Sequence, residues 1–337
     1  MKRNEAVSYV CPASKEPLDL EIVSLDGEEV LEGRFVAPNG NAYPVRRGIP
    51  DFRYPFELAP SDETAKAWYD NNAREYESYL HLTFDSFGVD EADVRRRMID
   101  KMAIGPGSVA LEVGAGTGRD SVVIAERLQG RGKLFLQDIS LPVLEMNVAK
   151  AASGGLCAEF HVGNGCHLPF PDDFFDAAYH FGGVNTFSDI AGFFVEMNRV
   201  VRPGGKVVVG DEGVPVWLRN TEYAKILMNS NPSYEYDVPL DQLPVSCRNV
   251  TVEWLLGDVF YVIDYVVGEG EPVADFDFEI PGARGGTHRT RYEGQLEGVT
   301  PEAKALAHKA RARKGMSMHK WLDEVVRAAA RRDLEEE

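Results

Sequence analysis

The middle of the chain repeats one pattern, in which a short apolar strand is followed by a turn and a helix. From residue 108 onward the strands are predicted in SVALEV, KLFLQD, AEFHVGN, DAAYHF and KVVVGDE, with helical segments between them. Strands that alternate with helices form a parallel sheet covered on both faces. Ligand sites in such sheets lie at the carboxyl ends of the strands. The pattern therefore predicts an α/β domain and the edge that carries its site.

The segments that flank this pattern have a different character. Residues 8–53 contain short alternating runs broken by Pro, Asn-Gly and Asp-Gly, which indicate a small β unit. Two helices are predicted within residues 60–103, and a strand hairpin around Gly257 closes the sheet. Residues 269–298 are rich in Gly, Pro and Arg, and two helices follow them. We predict four parts: a small β domain (1–58), a helical lid (59–104), the α/β domain (105–268) and a strand-helix-helix tail (269–337).

Composition excludes several classes of protein. The chain carries 36 Lys and Arg against 54 Asp and Glu, a formal charge of −18 that repels phosphate backbones, so a nucleic-acid partner is not expected unless a local basic patch binds it. No run of about eighteen apolar residues is present, so no membrane insertion is expected. The first residues lack the apolar core of a signal peptide, and the four cysteines form no CxxC pair. We predict a cytoplasmic protein with reduced thiols.

A glycine-rich loop follows the first strand of the α/β domain. Gly114, Gly116 and Gly118 lie in LEVGAGTG, where the absence of Cβ atoms lets the backbone turn sharply and approach a ligand. The spacing is neither that of dinucleotide-binding proteins nor that of a phosphate loop, and a plain tight turn is the alternative. The next strand ends at Asp138, where an acidic side chain can accept both hydroxyls of a ribose. The alternative for Asp138 is a cap on the following helix.

Four motifs in this order resemble the class I S-adenosylmethionine-dependent methyltransferases, especially those that methylate small quinones and sterols. They are the glycine loop, the acidic end of the second strand, the GNG followed by LPFPDDFFDAAY, and the RPGGKVVV that leads into the fifth strand. The resemblance covers roughly residues 65–268. It implies a Rossmann-like, mostly parallel sheet of seven strands whose last strand is antiparallel. It also implies S-adenosyl-L-methionine as the cofactor and S-adenosyl-L-homocysteine as the product.

The resemblance also implies which residues contact the cofactor. Gly114, Ala115 and Gly116 would face its methionine part, Asp138 would bind its ribose, and Ile139 would pack on its adenine. Asn164 stands where the family usually has Asp, and its amide oxygen can still accept a bond from the adenine amino group. The further contacts are expected at Tyr76, Glu112, Gly118, Gly165, Cys166 and Phe181.

A sulfonium methyl group is already a strong electrophile, so positioning of the acceptor supplies most of the catalysis. A base helps where the acceptor is a hydroxyl or an acidic carbon. The catalytic candidates are His180, Asp211 and Glu212, and the acceptor-binding candidates are Tyr69, Asn185, Arg219, Arg284, His288 and Arg289. The alternatives are a packed strand histidine at 180, core tyrosines at 69 and 76, pairing of Arg219 with Asp211 or Glu212, and a solvated basic loop around residue 289.

The two ends of the chain carry resemblances of their own. The first domain is similar to the zinc-ribbon-like domain that accompanies many methyltransferases, but only Cys11 remains of its cysteines, with Ser14 and Ala37 near the expected partners. Structural zinc needs its thiolates, so we expect the β fold without a metal. The tail is similar to a ribbon-helix-helix unit, which implies a homodimer. Two helices packed on the same chain are the alternative.

Three functions follow from these patterns. The leading one is methyl transfer to a small biosynthetic or quinone-like acceptor. The second is methylation of an RNA or ribosomal RNA base, against which the missing zinc ligands and the acidic charge count. The third is a non-enzymatic regulator that senses the cofactor and binds DNA through its tail.

Overall fold

The computed structural model describes residues 1–281, 285–296 and 298–335. It divides the chain into one unit of residues Met1–Glu271 and a second of residues Pro272–Glu337. The first unit begins with a four-stranded antiparallel sheet. Its strands are β1 (Asp19–Asp26), β2 (Glu29–Val36), β3 (Ala42–Arg46) and β4 (Ile49–Pro50). Three helices follow, α1 (Pro60–Tyr79), α2 (Leu82–Ser86) and α3 (Glu91–Asp100).

A seven-stranded sheet forms the rest of the first unit. Its strands are β5 (Val109–Val113), β6 (Lys133–Asp138), β7 (Glu159–Val162), β8 (Phe175–Phe181), β9 (Val201–Glu212), β10 (Cys247–Leu255) and β11 (Phe260–Val267). The helices between them are α4 (Arg119–Leu128), α5 (Leu141–Gly154), α6 (Ile190–Val200) and α7 (Glu222–Ser230). The spatial order is β10-β11-β9-β8-β5-β6-β7, and β11 is antiparallel to both neighbours. The predicted Rossmann-like sheet with an antiparallel last strand is confirmed.

Burial of the central strands explains why these segments pair in parallel. Four of the five residues of β5 and five of the six of β6 are buried, which is typical of strands with helices on both faces. Strand β5 pairs with β6 on one side and β8 on the other, so the chain order changes direction there. A crevice opens at the carboxyl ends of strands at such a point.

The N-terminal sheet packs into the same hydrophobic core as the large sheet. Tyr9, Phe35 and Phe52 are buried in one cluster with Phe135 of β6 and with Phe170. The rings of Tyr9 and Phe170 lie 5.3 Å apart. The predicted small β domain is therefore continuous with the α/β core. Cys11 lies in this cluster with its Sγ 3.4 Å from the hydroxyl of Tyr43, and the described residues contain no group of three or more candidate metal ligands.

The second unit contains α8 (His288–Glu293), α9 (Pro301–Arg313) and α10 (Met318–Glu335). The strand expected before the two helices of the tail is wrong over His288–Glu293, where the structure has α8. A capping box explains the helix, since Thr287 Oγ1 accepts a bond from Thr290 N while Thr290 Oγ1 accepts one from Thr287 N. These local bonds favour a helical turn over an extended chain. Within the described ranges, no helix is long and apolar enough to cross a membrane.

His161 of β7 makes the stability of the folded state depend on pH, because its ring lies in the core shared by the two sheets. Its ring is fully buried against Tyr9, Phe52 and Phe170, and neither ring nitrogen has a hydrogen-bond partner in the part of the chain that the structure describes. Burial lowers the pKa of His161 from 6.5 to about 3. The folded state therefore keeps the ring neutral at pH values where the unfolded chain protonates it.

We predict that His161→Leu removes this dependence. As the pH falls from 6.5 towards 3, the unfolded chain alone protonates this ring, so His161 should lower the unfolding free energy by about 1.4 kcal/mol per pH unit. Denaturant titrations at several pH values should show that the unfolding free energy of the variant, relative to that of wild type, rises by this amount for each pH unit of acidification. His308→Leu, at an exposed position, serves as the control and should keep the wild-type slope. Parallel profiles for wild type and His161→Leu would contradict the assignment.

Candidate active site

A cavity of about 1220 Å³, including its open mouth, lies at the carboxyl ends of β5, β6, β8 and β9. The glycine loop between β5 and α4 forms one wall. Gly114 and Gly118 both adopt positive φ angles, +66° and +86°, which L side chains rarely adopt. Ala115 N donates to Gln137 O at 2.8 Å, and Gly118 N donates to Ala115 O at 3.0 Å. These bonds fix the loop against the end of β6.

Asn147 of α5 braces the glycine loop from behind. Its Nδ2 donates to Ala115 O at 3.4 Å and to Ser121 Oγ at 3.2 Å. A Cβ at Gly118 would lie 2.3 Å from Asn147 Oδ1. Gly118 does not line the cavity, so its part is to let α4 begin against α5. Sequence reasoning missed Asn147, although a buried amide in an apolar helix is a signal that it could have used.

Asp138 ends β6 at the floor of the cavity and ties two loops together. Its Oδ2 accepts a bond from Gly116 N and its Oδ1 one from Ser140 N, both at 2.9 Å. Burial raises the pKa of Asp138 to about 6, against the lowering effect of these backbone donors. Ser140, rather than Asp138, caps α5. Ile139 also lines the cavity.

The turn after β7 adds a second part of the wall. Asn164 and Gly165 line the cavity, and Asn164 Oδ1 accepts a bond from Cys166 N at 3.0 Å. Cys166 itself does not line it. Its Sγ donates to Asp189 O at 3.2 Å, and burial raises the pKa of the thiol to about 12, so the sulfur stays protonated and inert near neutral pH.

His180 of β8 presents a neutral imidazole to the cavity. Its Nδ1 lies 2.8 Å from Val113 O and so donates, which leaves a lone pair on Nε2. Nε2 has no hydrogen-bond partner among the described residues. Burial lowers the pKa of His180, which keeps the ring unprotonated. A Cβ at Gly114 would lie 3.0 Å from Nδ1, so glycine at that position lets the ring approach β5.

A buried charge cluster lies beneath the glycine loop. Arg95 of α3 donates to Asp120 at 2.7 Å and to Glu91 at 2.8 Å. Glu112 accepts a bond from Ser121 Oγ at 2.6 Å. Burial and the nearby Asp120 raise the pKa of Glu112 well above its usual range. Arg95, Glu112 and Asp120 all line the cavity, and of these only Glu112 was predicted from the sequence.

The two acidic residues at the end of β9 have different surroundings. Asp211 Oδ2 accepts bonds from Gly183 N at 3.1 Å and Asn185 N at 2.8 Å, so this carboxylate holds the loop after β8. Asn185 in turn donates through Nδ2 to Glu212 O at 2.8 Å. Neither Asp211 nor Asn185 lines the cavity. Glu212 does, as does Phe181 at the end of β8.

Helix α1 lies along the cavity and contributes Tyr69 and Tyr76, whose ring centroids are 5.4 Å apart. Three acidic residues fasten it. Asp62 accepts bonds from Ser188 N at 2.9 Å and Ser188 Oγ at 2.6 Å, Asp70 accepts one from Ser140 Oγ at 2.7 Å, and Glu77 accepts one from Thr117 Oγ1. Their spacing places them on one face of the helix. Sequence reasoning did not use that signal.

The remaining predicted residues lie away from the cavity lining or outside the described residues. Arg219 pairs with Asp237 at 2.5 Å and donates to Val214 O at 3.1 Å. His288 and Arg289 belong to the second unit, where Arg289 pairs with Asp277 at 2.8 Å. Arg284 falls outside the residues that the structure describes.

Comparison with known proteins gives one family match. Residues 111–209 match the family described as a methyltransferase domain. The ubiquinone/menaquinone biosynthesis C-methyltransferase UbiE of Bordetella avium is 25% identical over 197 residues, 58% of this chain and 69% of that protein. The demethylmenaquinone methyltransferase of Lysinibacillus sphaericus is 36% identical over 114 residues, 34% of this chain and 48% of that protein. The chain thus spans about half to two thirds of these curated relatives.

Solved structures of similar shape include a putative S-adenosyl-L-methionine-dependent methyltransferase from Methanococcus maripaludis. It is 19% identical, with a TM-score of 0.45, and the match covers 60% of this chain and 95% of that one.

We predict that Gly118→Ala destabilises the loop beyond the cost of its backbone angle. The added Cβ meets Asn147, so the loss of unfolding free energy should exceed the roughly 1 kcal/mol expected for a left-handed alanine. Gly130→Ala is the matched control, because Gly130 has φ +65° and nothing within 4 Å of an added Cβ. Thermal or denaturant unfolding of both variants measures the difference. Equal losses would show that Asn147 does not restrict the loop.

Proposed function

Because this chain belongs to the class I S-adenosylmethionine-dependent methyltransferases, we propose that it transfers a methyl group from S-adenosyl-L-methionine to a small-molecule acceptor. The observation that carries the proposal is the arrangement at the ends of β5 and β6. There the glycine loop lies beside the buried carboxylate of Asp138, and both line one cavity.

The residues present fit the cofactor. Asp138 accepts backbone N–H bonds at both carboxylate oxygens, and a carboxylate has about four acceptor sites, so ribose hydroxyls can still bind it. Beside Gly116, the nearest atom to an added Cβ would be 3.9 Å away, which leaves open space along the loop for the methionine part. Ile139 would pack on the adenine, and Asn164 and Gly165 would flank it. Tyr76, Glu112 and Phe181 would complete the contacts.

When bound, S-adenosyl-L-methionine supplies an electrophilic methyl group. The chain's own residues position the acceptor and exclude water, since aromatic side chains of α1, β8 and β11 line the cavity. His180 would take a proton at Nε2 from an acceptor hydroxyl or acidic carbon, because its Nδ1 is already committed as a donor to Val113. Asp211 would act by holding the loop that follows His180, and Glu212 by contact with the acceptor.

Similarity to enzymes named for ubiquinone, menaquinone and demethylmenaquinone supports a biosynthetic or quinone-like acceptor. Calorimetry with S-adenosyl-L-methionine and S-adenosyl-L-homocysteine is the first test. Transfer of labelled methyl groups to a panel of hydroquinones is the second. Absence of binding by both cofactor forms would overturn the proposal.

Asp138→Ala should weaken binding of S-adenosyl-L-homocysteine by more than about tenfold, because a buried ribose would lose a charged acceptor. Isothermal titration measures the affinity directly. Asp241→Ala, at an exposed position outside the cavity, is the control and should bind as wild type does. Equal affinities for Asp138→Ala and wild type would remove Asp138 from the cofactor site.

We further propose a cytoplasmic homodimer formed through the second unit. The described helices of that unit leave Tyr292, Leu306 and Val326 exposed, and Ala307 is buried there. Light scattering should give twice the chain mass of 37.3 kDa for wild type and less for Val326→Asp, since a buried charge opposes association. Val23→Asp, at an 80% exposed position of β1, is the control. A monomeric wild type would contradict the proposal.

A further inference from the structure

Gln137 of β6 is a buried polar side chain that lines the cavity and has no part in the site as described so far. It is 2% exposed. Its Oε1 accepts a hydrogen bond from Gly114 N at 3.2 Å, and its Nε2 donates one to Gly163 O. Gly114 begins the glycine loop, and Gly163 begins the turn after β7. The side-chain amide therefore joins two loops that follow two different strands.

Both ends of this bridge need a primary amide. A backbone N–H only donates and a backbone carbonyl only accepts, so the two partners fix which end of the Gln137 amide is the oxygen. A carboxylate at this position would accept the bond from Gly114 but could not donate to Gly163. An apolar side chain would do neither, and it would leave two backbone groups without their partner in a buried place.

The Val113–Gly114 peptide group is held from both sides. Its N–H donates to Gln137, and its carbonyl oxygen accepts a bond from His180 Nδ1 at 2.8 Å. The C=O and N–H of a planar trans peptide group point in opposite directions. Strand β5 lies between β6 and β8, so each of these bonds reaches one neighbouring strand. A rotation of this peptide plane would weaken both bonds at once.

The bond to Val113 O decides which nitrogen of His180 carries the proton. Nδ1 donates, so Nε2 keeps its lone pair, and Nε2 has no hydrogen-bond partner among the described residues. A neutral imidazole has a single N–H, which either nitrogen can carry. With the proton on Nε2, the ring could not accept one from a molecule in the cavity. The direction of the Val113 carbonyl is therefore a condition for His180 to act as a base.

We infer that Gln137 is a positioning residue for methyl transfer, which holds the turn after β7 to the glycine loop and, through the Val113–Gly114 peptide group, keeps the proton of His180 on Nδ1. This inference rests on the proposed function, because it gives Gln137 a part in the same reaction. It adds that one amide couples the walls of the nucleoside site to the tautomer of the base. Hydrogen bonds in such a chain polarise one another, so loss of one weakens the next.

Variants of Gln137 can be tested because other bonds keep the loops attached. Ala115 N donates to the backbone oxygen of residue 137 at 2.8 Å, and Gly163 N donates to Asp138 O at 3.0 Å. Neither bond involves the side chain at position 137. Gln137→Met keeps an unbranched side chain of similar length and removes both hydrogen bonds. Gln137→Glu keeps an oxygen that can accept the bond from the glycine loop.

The first measurement is nitrogen-15 NMR of the full chain labelled at histidine, because the shifts of the two ring nitrogens report which one carries the proton. The signal of His180 is the one that disappears in His180→Gln. At pH 8 the ring is neutral, since burial lowers its pKa. Wild type and Gln137→Glu should show the proton on Nδ1. In Gln137→Met the ratio of this tautomer to the other should fall by at least about tenfold.

The second measurement is calorimetry with S-adenosyl-L-homocysteine. Gln137→Met should bind it about tenfold more weakly than wild type at every pH, because the two loops are no longer joined. Gln137→Glu should be as weak at pH 8 and should recover as the pH falls, since the protonated carboxyl group donates to Gly163 O. Asp138, with a pKa of about 6, titrates in both proteins, so each variant is compared with wild type at the same pH.

Gln295→Met and Gln295→Glu are the matched controls, because Gln295 is an exposed glutamine of the second unit. Both should keep the wild-type tautomer of His180 and the wild-type affinity. A merely structural role of Gln137 would lower stability without moving the tautomer and without recovery of Gln137→Glu in acid.

An unchanged tautomer of His180 in Gln137→Met would overturn the inference, and so would unchanged affinity of that variant for S-adenosyl-L-homocysteine. Equal changes in Gln137→Met and Gln295→Met would also overturn it, because the effect would then not come from the bridge. If S-adenosyl-L-homocysteine fails to bind wild type, the methyltransferase proposal fails instead. The NMR comparison uses no cofactor and still decides whether Gln137 controls His180.

Discussion

Hydrogen bonds from loop N–H groups to buried carboxylates hold the carboxyl edge of the large sheet in its shape. Asp138 ends β6 and binds the backbone of the glycine loop and of the turn before α5. Asp211 does the same for the loop after β8. A carboxylate without these donors would be too costly to bury, and the loops without the carboxylates would lose their anchor to the strands. The loop N–H groups satisfy the buried carboxylates, and the carboxylates hold the loops in the positions that leave the cavity between them.

The N-terminal sheet is joined to the large sheet by a backbone hydrogen bond and by shared aromatic packing. Phe52 N donates to Val162 O at 2.8 Å, so the small sheet continues the backbone bonding of β7 at the edge of the large one. Tyr9, Phe35 and His161 then join the aromatic cluster beneath it. An edge strand that is covered in this way offers no open ladder to another chain. The absence of a full cysteine set in this domain fits a module held by packing.

Features that repeat at short range could be predicted from the sequence, and features that join distant residues could not. Short segments of the sequence were enough to predict the strand-helix alternation, the antiparallel β11 and the glycine loop. The pairs Arg95–Asp120 and Asn147–Ala115 span 25 and 32 residues, and that of Asp62 with Ser188 spans 126. No periodicity marks such partners. The strand expected in the tail is wrong for a different reason, because Thr287 and Thr290, three positions apart, form a local capping box that favours a helix.

Carboxylates of helix α1 accept hydrogen bonds from residues that also belong to the floor and the glycine loop of the cavity. Ser140 gives its hydroxyl to Asp70 of α1 and its N–H to Asp138, and Thr117 of the glycine loop binds Glu77. The helix therefore cannot swing away without disturbing the groups that would grip the nucleoside. Entry and exit of a ligand along this helix would therefore require the bonds of Asp70 and Glu77 to open together.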